Sequence, residues 1–350
     1  MGFDKSDYLQ WYIPRMRSEK KPINLHSSGV AWLDAGGIEP ATCEHWTMLP
    51  RFEEGLAAWL GVKSDEVCFT PGATGGTLLA LLAFAGKGDE VIVESPIYEP
   101  MLRQAERLNS IRRFAKRKDQ GWKIPLDEIA GMMTDKTSVV MITEPSNPSG
   151  TFCDRSEILA LAEMAQRSGA ILLINEVYRC FADRPSFHGE AENIVVVSSF
   201  SKLFGTYGLR LGWLSGPAPL IRRARSAHMN MGMGTQPAAA YGIGVLGKAE
   251  ELRARALRLS ASGVDTVEKW VKSTPGIDWT KPLGQGFACV SLPDVFPNDI
   301  EFAERLLNDF GVLVIPGTYF EVPGTVRLSW LQSGDRLEEG LSLIAKALRP

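Results

Sequence analysis

The run of residues 195–213 places a lysine among small hydroxyl residues and continues to a glycine-spaced arginine. Ser199 and Ser201 precede Lys202, and Arg210 follows it. Hydroxyl and guanidinium groups can bind a phosphate, whereas a lysine amine can hold an aldehyde as an imine. The run therefore predicts a site for a phosphorylated aldehyde. A lysine beside serine and glycine also occurs in plain surface turns, so this interpretation depends on the rest of the chain.

A second glycine-rich segment is suited to phosphate. Residues 70–77 read Thr-Pro-Gly-Ala-Thr-Gly-Gly-Thr and lead into a predicted helix over 75–85. The amino end of a helix offers unpaired N–H groups and a positive dipole end. Gly72 lets the backbone approach a ligand, while Ala73 and Thr74 supply amides and a hydroxyl. The segment has no Gly-Lys-Ser/Thr, so it is not a nucleotide-binding P-loop.

Three polar or aromatic side chains follow predicted strands, and they are Tyr98, Asn147 and Tyr178. The carboxyl ends of parallel strands meet at one edge of a sheet, so we expect these side chains to lie near Lys202. An aromatic ring there can stack on a flat heterocycle, and the amide and hydroxyl can donate hydrogen bonds to it. Ordinary turn or core residues are the alternative interpretation.

Substrate contacts are predicted from two further segments. Arg327 lies in the β-like segment Val-Arg-Leu-Ser, and its guanidinium can bind a carboxylate through two parallel hydrogen bonds. A salt-bridged arginine on an edge strand is the alternative. The segment 24–30 is expected to form a loop near the substrate, with Gly29 and Val30 as close neighbours.

The order of apolar patterns predicts the architecture. Short apolar runs typical of buried strands are residues 91–93, 139–142, 171–174, 194–197 and 211–215. The helical patterns are residues 75–85, 154–168, 219–232, 236–272, 299–310 and 335–348, and later β-like runs are 288–292, 312–315 and 326–329. We expect an α/β fold with a mostly parallel sheet flanked by helices, plus a smaller α+β domain. The predicted large domain spans 36–235, and residues 1–35 and 236–350 form the small one.

Bulk composition limits the function classes. The 350 residues are 45% hydrophobic and 23% charged with a net charge of −3, so we expect no nucleic-acid or membrane partner. The longest apolar run, 78–85, is far shorter than the roughly 20 residues of a membrane span. The five cysteines are scattered, which favours reduced thiols and a cytoplasmic location. The four histidines show no metal-ligand spacing, so no metal site is predicted.

Taken together, these motifs resemble those of the class I/II aminotransferases, which are fold-type I enzymes dependent on pyridoxal 5'-phosphate (PLP). The matching segments are Gly72–Thr74, 96–98, 146–150, 175–178, 199–202, 208–212, 316–317 and Arg327. The resemblance covers nearly the whole chain. It implies transfer of an amino group between an L-amino acid and a 2-oxo acid, by a homodimer with its active sites at the subunit interface.

The resemblance also implies individual roles. Lys202 would hold PLP as a Schiff base and carry the proton. The phosphate would be bound by Gly72, Ala73, Thr74, Ser199, Ser201 and Arg210. Tyr98 would stack on the ring, and Asn147 and Tyr178 would bind its phenolic oxygen. Arg327 would hold the substrate carboxylate, with Asn147 close by.

Asn175 departs from the family pattern, because relatives usually carry aspartate there. That aspartate keeps the pyridine nitrogen protonated, which makes the ring an electron sink. Opposite charges ~4 Å apart gain about 4 kcal/mol at an effective dielectric constant near 20, or about three pKa units. We expect slow transamination here, or another PLP reaction on an L-amino acid. Elimination, cyclisation of a basic amino acid and decarboxylation are the alternatives.

A second departure lies in residues 44–51, where many relatives carry a tyrosine that reaches the partner's phosphate. Either Trp46 occupies that space or the contact is missing. Trp32, Trp46 and Tyr319 could line an apolar or cationic pocket, with core packing as the alternative. A regulatory or binding protein that keeps the fold without activity is the competing function class.

Overall fold

The structure is a computed structural model, and it describes residues 6–17, 21–31, 37–42, 45–182, 184–232 and 234–349. Its α-helices are α1 (Asp7–Met16), α2 (Met48–Leu60), α3 (Gly72–Phe84), α4 (Glu99–Leu108), α5 (Leu126–Met132), α6 (Arg155–Arg167), α7 (Phe200–Phe204), α8 (Ala218–Met231), α9 (Gln236–Gly247), α10 (Ala249–Ser273), α11 (Asp299–Phe310) and α12 (Gly334–Ala347). Its β-strands are β1 (Ile23–Asn24), β2 (Val67–Pro71), β3 (Glu90–Ser95), β4 (Ser110–Ala115), β5 (Thr137–Thr143), β6 (Ile171–Asn175), β7 (Ile194–Ser199), β8 (Leu211–Ser215), β9 (Asp278–Trp279), β10 (Phe287–Ser291), β11 (Val312–Leu313), β12 (Ile315–Pro316) and β13 (Thr325–Ser329).

The large sheet explains the continuous apolar runs of the sequence. Within the described ranges, its strand order is β2-β8-β7-β6-β5-β3-β4. All neighbouring strands are parallel except β8, which runs antiparallel to β2 and β7. Val91 and Val93 pack towards α3, α4 and α8, whereas Ile92 packs towards α5 and α6 on the opposite face. Both faces are therefore buried, and the predicted mostly parallel sheet flanked by helices is confirmed.

A smaller α+β unit completes the predicted fold class. In the part of the chain that the structure describes, β12, β13, β10 and β9 form an antiparallel sheet, and β1 pairs in parallel with β11. Its core contains Phe302 of α11 and Leu341 of α12, together with Tyr8 and Trp11 of α1. The amino-terminal segment thus packs with carboxyl-terminal elements, which brings α1 close to the end of the large sheet.

The division into residues 36–235 and the remainder stays a prediction. Ala239 of α9 and Leu252 of α10 share a core with Phe52 of α2 and Trp213 of β8. The core on this side of the large sheet therefore continues past residue 235. Residue 36 itself lies outside the described residues.

Three predicted boundaries differ from the structure. The helical pattern 236–272 is two helices, because Lys248 leaves the helical conformation (φ −114°, ψ 10°) between α9 and α10. The β-like run 312–315 is split, since β11 pairs with β1 and β12 pairs with β13 in another sheet. The helix predicted from residue 75 already begins at Gly72.

The longest apolar run lies inside α3. Leu79 and Ala80 are fully buried there, in the core that α3 shares with the large sheet. Across the described residues, none of the helices combines the length and the apolar character that crossing a bilayer would require.

Candidate active site

A cavity of about 670 Å³ lies at the carboxyl ends of the parallel strands. Many of its lining residues are those predicted from sequence: Ala73, Thr74, Tyr98, Asn147, Asn175, Tyr178, Ser199, Ser201, Lys202, Arg210 and Arg327. They come from segments far apart in sequence, and they meet because parallel strands place their carboxyl ends at one edge. The predicted residues Gly72, Gly29 and Val30 are not among the lining residues.

The amino end of α3 and Arg210 form one side of the cavity. Gly72 has φ +78°, and a Cβ built on it would lie 2.4 Å from Nη2 of Arg210. The left-handed backbone favours glycine, and the absence of a side chain leaves room for the Arg210 guanidinium. The Arg210 guanidinium donates to the carbonyl of Pro71 across 3.2 Å, so it lies beside the first turn of α3. A helix amino end next to a guanidinium is suited to an anion.

Ser201 supplies a direct test of whether a phosphate fits there. Its side chain lines the cavity, and its buried Oγ has no hydrogen-bond partner among the described residues. A buried polar atom without a hydrogen-bond partner destabilises the folded protein by about 1–3 kcal/mol. A ligand oxygen bonded to Ser201 would remove this cost. With Thr74 and Ser199 also in the lining, these residues fit the phosphate of PLP.

Lys202 lies on α7, and its side chain enters the cavity. Burial, followed by the positive charges of Arg327 and Arg210, lowers the pKa of Lys202 from its usual value to about 7. A large fraction of this amine is therefore neutral near pH 7, and only the neutral amine can attack a carbonyl. The site thus holds an amine that is reactive at neutral pH.

Asn175, the last residue of β6, has a fixed amide orientation. Its Oδ1 accepts the N–H of Val177 across 3.1 Å, and its Nδ2 donates to Sδ of Met101 across 3.2 Å. The backbone donor identifies the oxygen, so the atom beside Met101 is the nitrogen. Both Asn175 and Met101 line the cavity. Asn175 therefore offers a hydrogen-bond donor, which suits an unprotonated ring nitrogen and not a protonated one.

Arg327 is held in place by other residues of the protein. Its side chain is 3% exposed, and it donates from Nη1 to Oδ1 of Asn147 (3.0 Å) and from Nη2 to the carbonyl of His26 (2.9 Å). The guanidinium also lies 4.6 Å from the ring centroid of Phe320. These described partners are neutral oxygens and a ring, so the positive charge remains available for a carboxylate.

The amino-terminal segment contributes cavity residues that sequence analysis missed. Tyr8 and Tyr12 of α1 line the cavity, and Oη of Tyr12 lies 3.0 Å from Nδ1 of His26. Burial, together with the charges of Arg327 and Lys202, lowers the pKa of His26 to about 3, so His26 is neutral at physiological pH. No local pattern marks α1 as a cavity wall, because only tertiary packing places it there.

The segment 24–30 approaches the site, and its residues Asn24, His26, Ser27 and Ser28 line the cavity. Ser28 lines the cavity and accepts the hydroxyl hydrogen of Tyr178 across 3.0 Å. Val30 instead donates its N–H to the carbonyl of Lys202 across 3.0 Å. A Cβ on Gly29 would lie 2.6 Å from Cα of Lys202. Gly29 and Val30 therefore pack against the backbone of Lys202.

Two of the three aromatic residues suggested for the pocket, Trp46 and Tyr319, are not among its lining residues. Trp46 is 83% exposed and is not among the lining residues. Tyr319 packs against Tyr8 and Trp11 outside the lining. Trp32 lies outside the described residues.

Known proteins share both the sequence pattern and the fold. The family model described as aminotransferase class I and II matches residues 40–343. A probable aspartate/prephenate aminotransferase of Aquifex aeolicus is 28% identical over 86% of this chain and 82% of its own length. A PLP-dependent aminotransferase from Streptococcus suis has a TM-score of 0.89 at 23% identity, covering 100% of this chain and 98% of that one. A PLP-dependent cyclase, OrfR, has a TM-score of 0.85 at 21% identity over 100% and 98% of the two chains. The chain therefore belongs to the class I and II aminotransferases and is a PLP-dependent aminotransferase.

Proposed function

We propose that Lys202 performs amino-group transfer between an L-amino acid and a 2-oxo acid in this cavity. The observation that carries the proposal is one lysine amine with a pKa of about 7, placed in the same cavity as Arg210 and Arg327. When bound, PLP supplies the electron sink for the bond that breaks at the α-carbon. The neutral Lys202 amine would take the proton from the substrate α-carbon and become an ammonium, and it would become neutral again when it gives the proton back.

The other side chains bind and orient. The phosphate would be held by the amino end of α3 and nearby side chains: Gly72, Ala73, Thr74, Ser199, Ser201 and Arg210. Tyr98 would lie on the ring, with Asn147 and Tyr178 at its phenolic oxygen and Asn175 at its nitrogen. Arg327 would grip the α-carboxylate, which aligns the α-hydrogen with Lys202.

We further propose that the substrates carry an anionic side chain. The described lining contains five basic residues and no aspartate or glutamate; the basic residues are Arg17, Lys21, Lys202, Arg210 and Arg327. Arg17 and Lys21 remain once the others are assigned to the cofactor and the α-carboxylate. The relative from Aquifex aeolicus carries aspartate in its name, which supports the same class of substrate. A cationic side chain would meet repulsion from every charged residue of this lining.

An amino-donor panel tests both proposals. The acceptor is 2-oxoglutarate for every donor except glutamate, which is paired with oxaloacetate because its reaction with 2-oxoglutarate would return the same two compounds. Aspartate and glutamate are expected to exceed asparagine and glutamine in kcat/KM by about tenfold or more, the effect of roughly 1.4 kcal/mol. Faster turnover of arginine or lysine would contradict the acidic substrate class. Product analysis separates the reactions, because a new amino acid means transfer. Ammonia or carbon dioxide as the main product would favour the elimination or decarboxylation that Asn175 leaves open.

We also propose a cytoplasmic homodimer. Trp46 and Met229 are 83% and 80% exposed, and large apolar side chains of this kind are suited to a subunit contact. Cys68, Cys153, Cys180 and Cys289 are free thiols in the structure, in line with a reducing compartment. Light scattering of the purified protein would test the dimer, and a monomer at micromolar concentration would contradict it.

Arg327→Lys is expected to raise the KM for an amino-acid donor about 100-fold, because a lysine cannot form the paired hydrogen bonds to a carboxylate. Steady-state kinetics with varied donor concentration would measure it. Arg112→Lys is the matched control, since Arg112 forms an exposed pair with Glu90 (3.0 and 3.2 Å) away from the cavity. An equal loss with a primary amine that lacks the carboxylate would show that Arg327 has another role.

The lowered pKa of Lys202 predicts how cofactor capture depends on pH. Below a pH of about 7 the amine is mostly protonated, so the capture rate of the cofactor-free protein should rise with pH and level off above it. The rise should be about tenfold per pH unit on the acidic side. Stopped-flow absorbance would measure the capture rate at each pH. Arg327→Met removes a neighbouring positive charge and should move the midpoint upwards, whereas a rise continuing to about pH 10 in the unmodified chain would contradict the lowered pKa.

A further inference from the structure

Tyr207 lines the cavity directly beside Lys202, and the roles assigned above leave it unused. It lies on a short turn, residues 207–209, between α7 and β8. The Nζ atom of Lys202 is 5.0 Å from the centroid of the Tyr207 ring. This distance is within the range of a cation–π interaction, in which the ring face attracts an ammonium group.

The ring is held in place from the amino-terminal segment. Oη of Tyr207 lies 3.0 Å from Oγ of Ser27, and Ser27 donates its own hydroxyl hydrogen to the carbonyl of Gly29 across 3.1 Å. A Cβ on Gly29 would lie 2.3 Å from Oη of Tyr207. The absence of a side chain at Gly29 therefore allows the tyrosine to reach Ser27.

The surroundings of Lys202 determine how the Tyr207 ring affects the protonation of the lysine. Besides Lys202 and Tyr207, the charged or titratable residues of the described cavity lining are Arg17, Lys21, Arg210, Arg327, His26, Tyr8, Tyr12, Tyr98 and Tyr178. Burial and the charges of Arg327 and Arg210 disfavour the lysine ammonium, and His26 is neutral. Burial raises the pKa of the Tyr207 phenol above its ordinary value, so Tyr207 acts through a neutral ring and not as a phenolate. Its ring face favours the ammonium form that the arginines oppose.

We propose that Tyr207 is a positioning residue for Lys202: its ring, fixed by Ser27, receives the Lys202 amine whenever that amine is not bound to the cofactor. If Lys202 holds the cofactor covalently between turnovers, its amine would be free while a substrate is bound, and it would then need a defined place within reach of the substrate α-carbon. This inference rests on the proposed role of Lys202. The inference concerns the position of the free Lys202 amine, and the effect of this position on the pKa of Lys202 can be measured without turnover.

The first experiment uses the cofactor-free protein. Pulse labelling with acetic anhydride over a pH series, followed by peptide mass spectrometry, gives the pKa of Lys202, with exposed Lys272 of the same chain as internal reference. Tyr207→Leu removes the ring and should lower the pKa of Lys202 by about half a unit. Tyr207→Phe keeps the ring and should leave it within about 0.2 units. An unchanged value in Tyr207→Leu, or equal shifts in both variants, would overturn the proposal.

The second experiment separates positioning from substrate binding. In the PLP-loaded enzyme, Tyr207→Leu should lower kcat about tenfold and leave the KM of the amino donor unchanged, because the ring contacts the lysine. Tyr207→Phe controls for folding and packing. A change in KM alone would overturn the proposal, since the ring would then shape the substrate pocket. Borohydride reduction and peptide mapping identify the residue that carries PLP; a residue other than Lys202 would remove the proposed function, while the labelling result would still stand.

Discussion

Replacing Lys202 by alanine is expected to reduce amino-group transfer by about 10⁴-fold, the upper end of what a positioned proton carrier contributes. The variant loses both the covalent attachment point for PLP and the amine that moves the α-proton. Arg327 and Arg210 remain, so binding of the amino acid should persist. Single-turnover absorbance measurements of the PLP-loaded variant would report the loss in the proton-transfer step, separately from binding.

Two further variants complete this test. Lys202→Arg keeps a positive charge in the cavity, but a guanidinium stays protonated and cannot accept the proton at neutral pH, so it should be as inactive as Lys202→Ala. Lys272→Ala changes an exposed lysine paired with Glu268 and should have wild-type activity. Retention of more than about one-hundredth of the wild-type rate by Lys202→Ala would mean that another group carries the proton.

Asn175→Asp is expected to have the second large effect, and in the opposite direction. A carboxylate at this position should raise the pKa of the bound cofactor's ring nitrogen by about three units, the equivalent of roughly 4 kcal/mol of charge interaction. The protonated ring withdraws electrons better, so transamination should become faster. A UV-visible pH titration of the bound cofactor and the turnover number would both report the change.

Asn175→Ala is the matched control for that substitution, because it removes the amide donor without adding charge. It should show neither the raised ring pKa nor the gain in turnover. The cofactor-free Asn175→Asp protein should also be less stable than the wild type, since one carboxylate oxygen would face Met101 in place of the present N–H contact. Unchanged or lower turnover in the aspartate variant would remove the electron-sink explanation for Asn175.

The cavity residues at the strand ends were predictable, because the sequence identifies the strands and the parallel order of the strands brings their carboxyl ends together. Buried runs such as 171–174 identify parallel strands, and parallel strands bring their carboxyl ends together. Asn175, Tyr178 and Lys202 follow such runs closely, so their positions in the cavity follow from the order of elements. The start of α11 also has a local cause, since Asn298 caps the helix by accepting the N–H groups of Ile300 and Glu301.

The side of the cavity that α1 forms was not predictable, because it depends on contacts between residues distant in sequence. Glu99 accepts the N–H of Tyr8 across 2.8 Å and the hydroxyl of Ser6 across 2.7 Å, and these bonds hold the start of α1 against α4. Nothing in the local pattern of α1 specifies that partner. The same holds for Tyr207, since its relation to Lys202 requires Ser27 from the amino-terminal segment. Tertiary packing, and not helix propensity, selects these residues.

The two hydrogen bonds of Arg327 have a consequence for biosynthesis. They join β13 to partners 180 and 301 residues earlier in the chain, at Asn147 and His26. A nascent chain on the ribosome therefore has no carboxylate-binding site until translation has passed β13, even if the large sheet has already formed. Amino acids therefore cannot stabilise the incomplete chain by binding to Arg327, and its folding proceeds without that contribution.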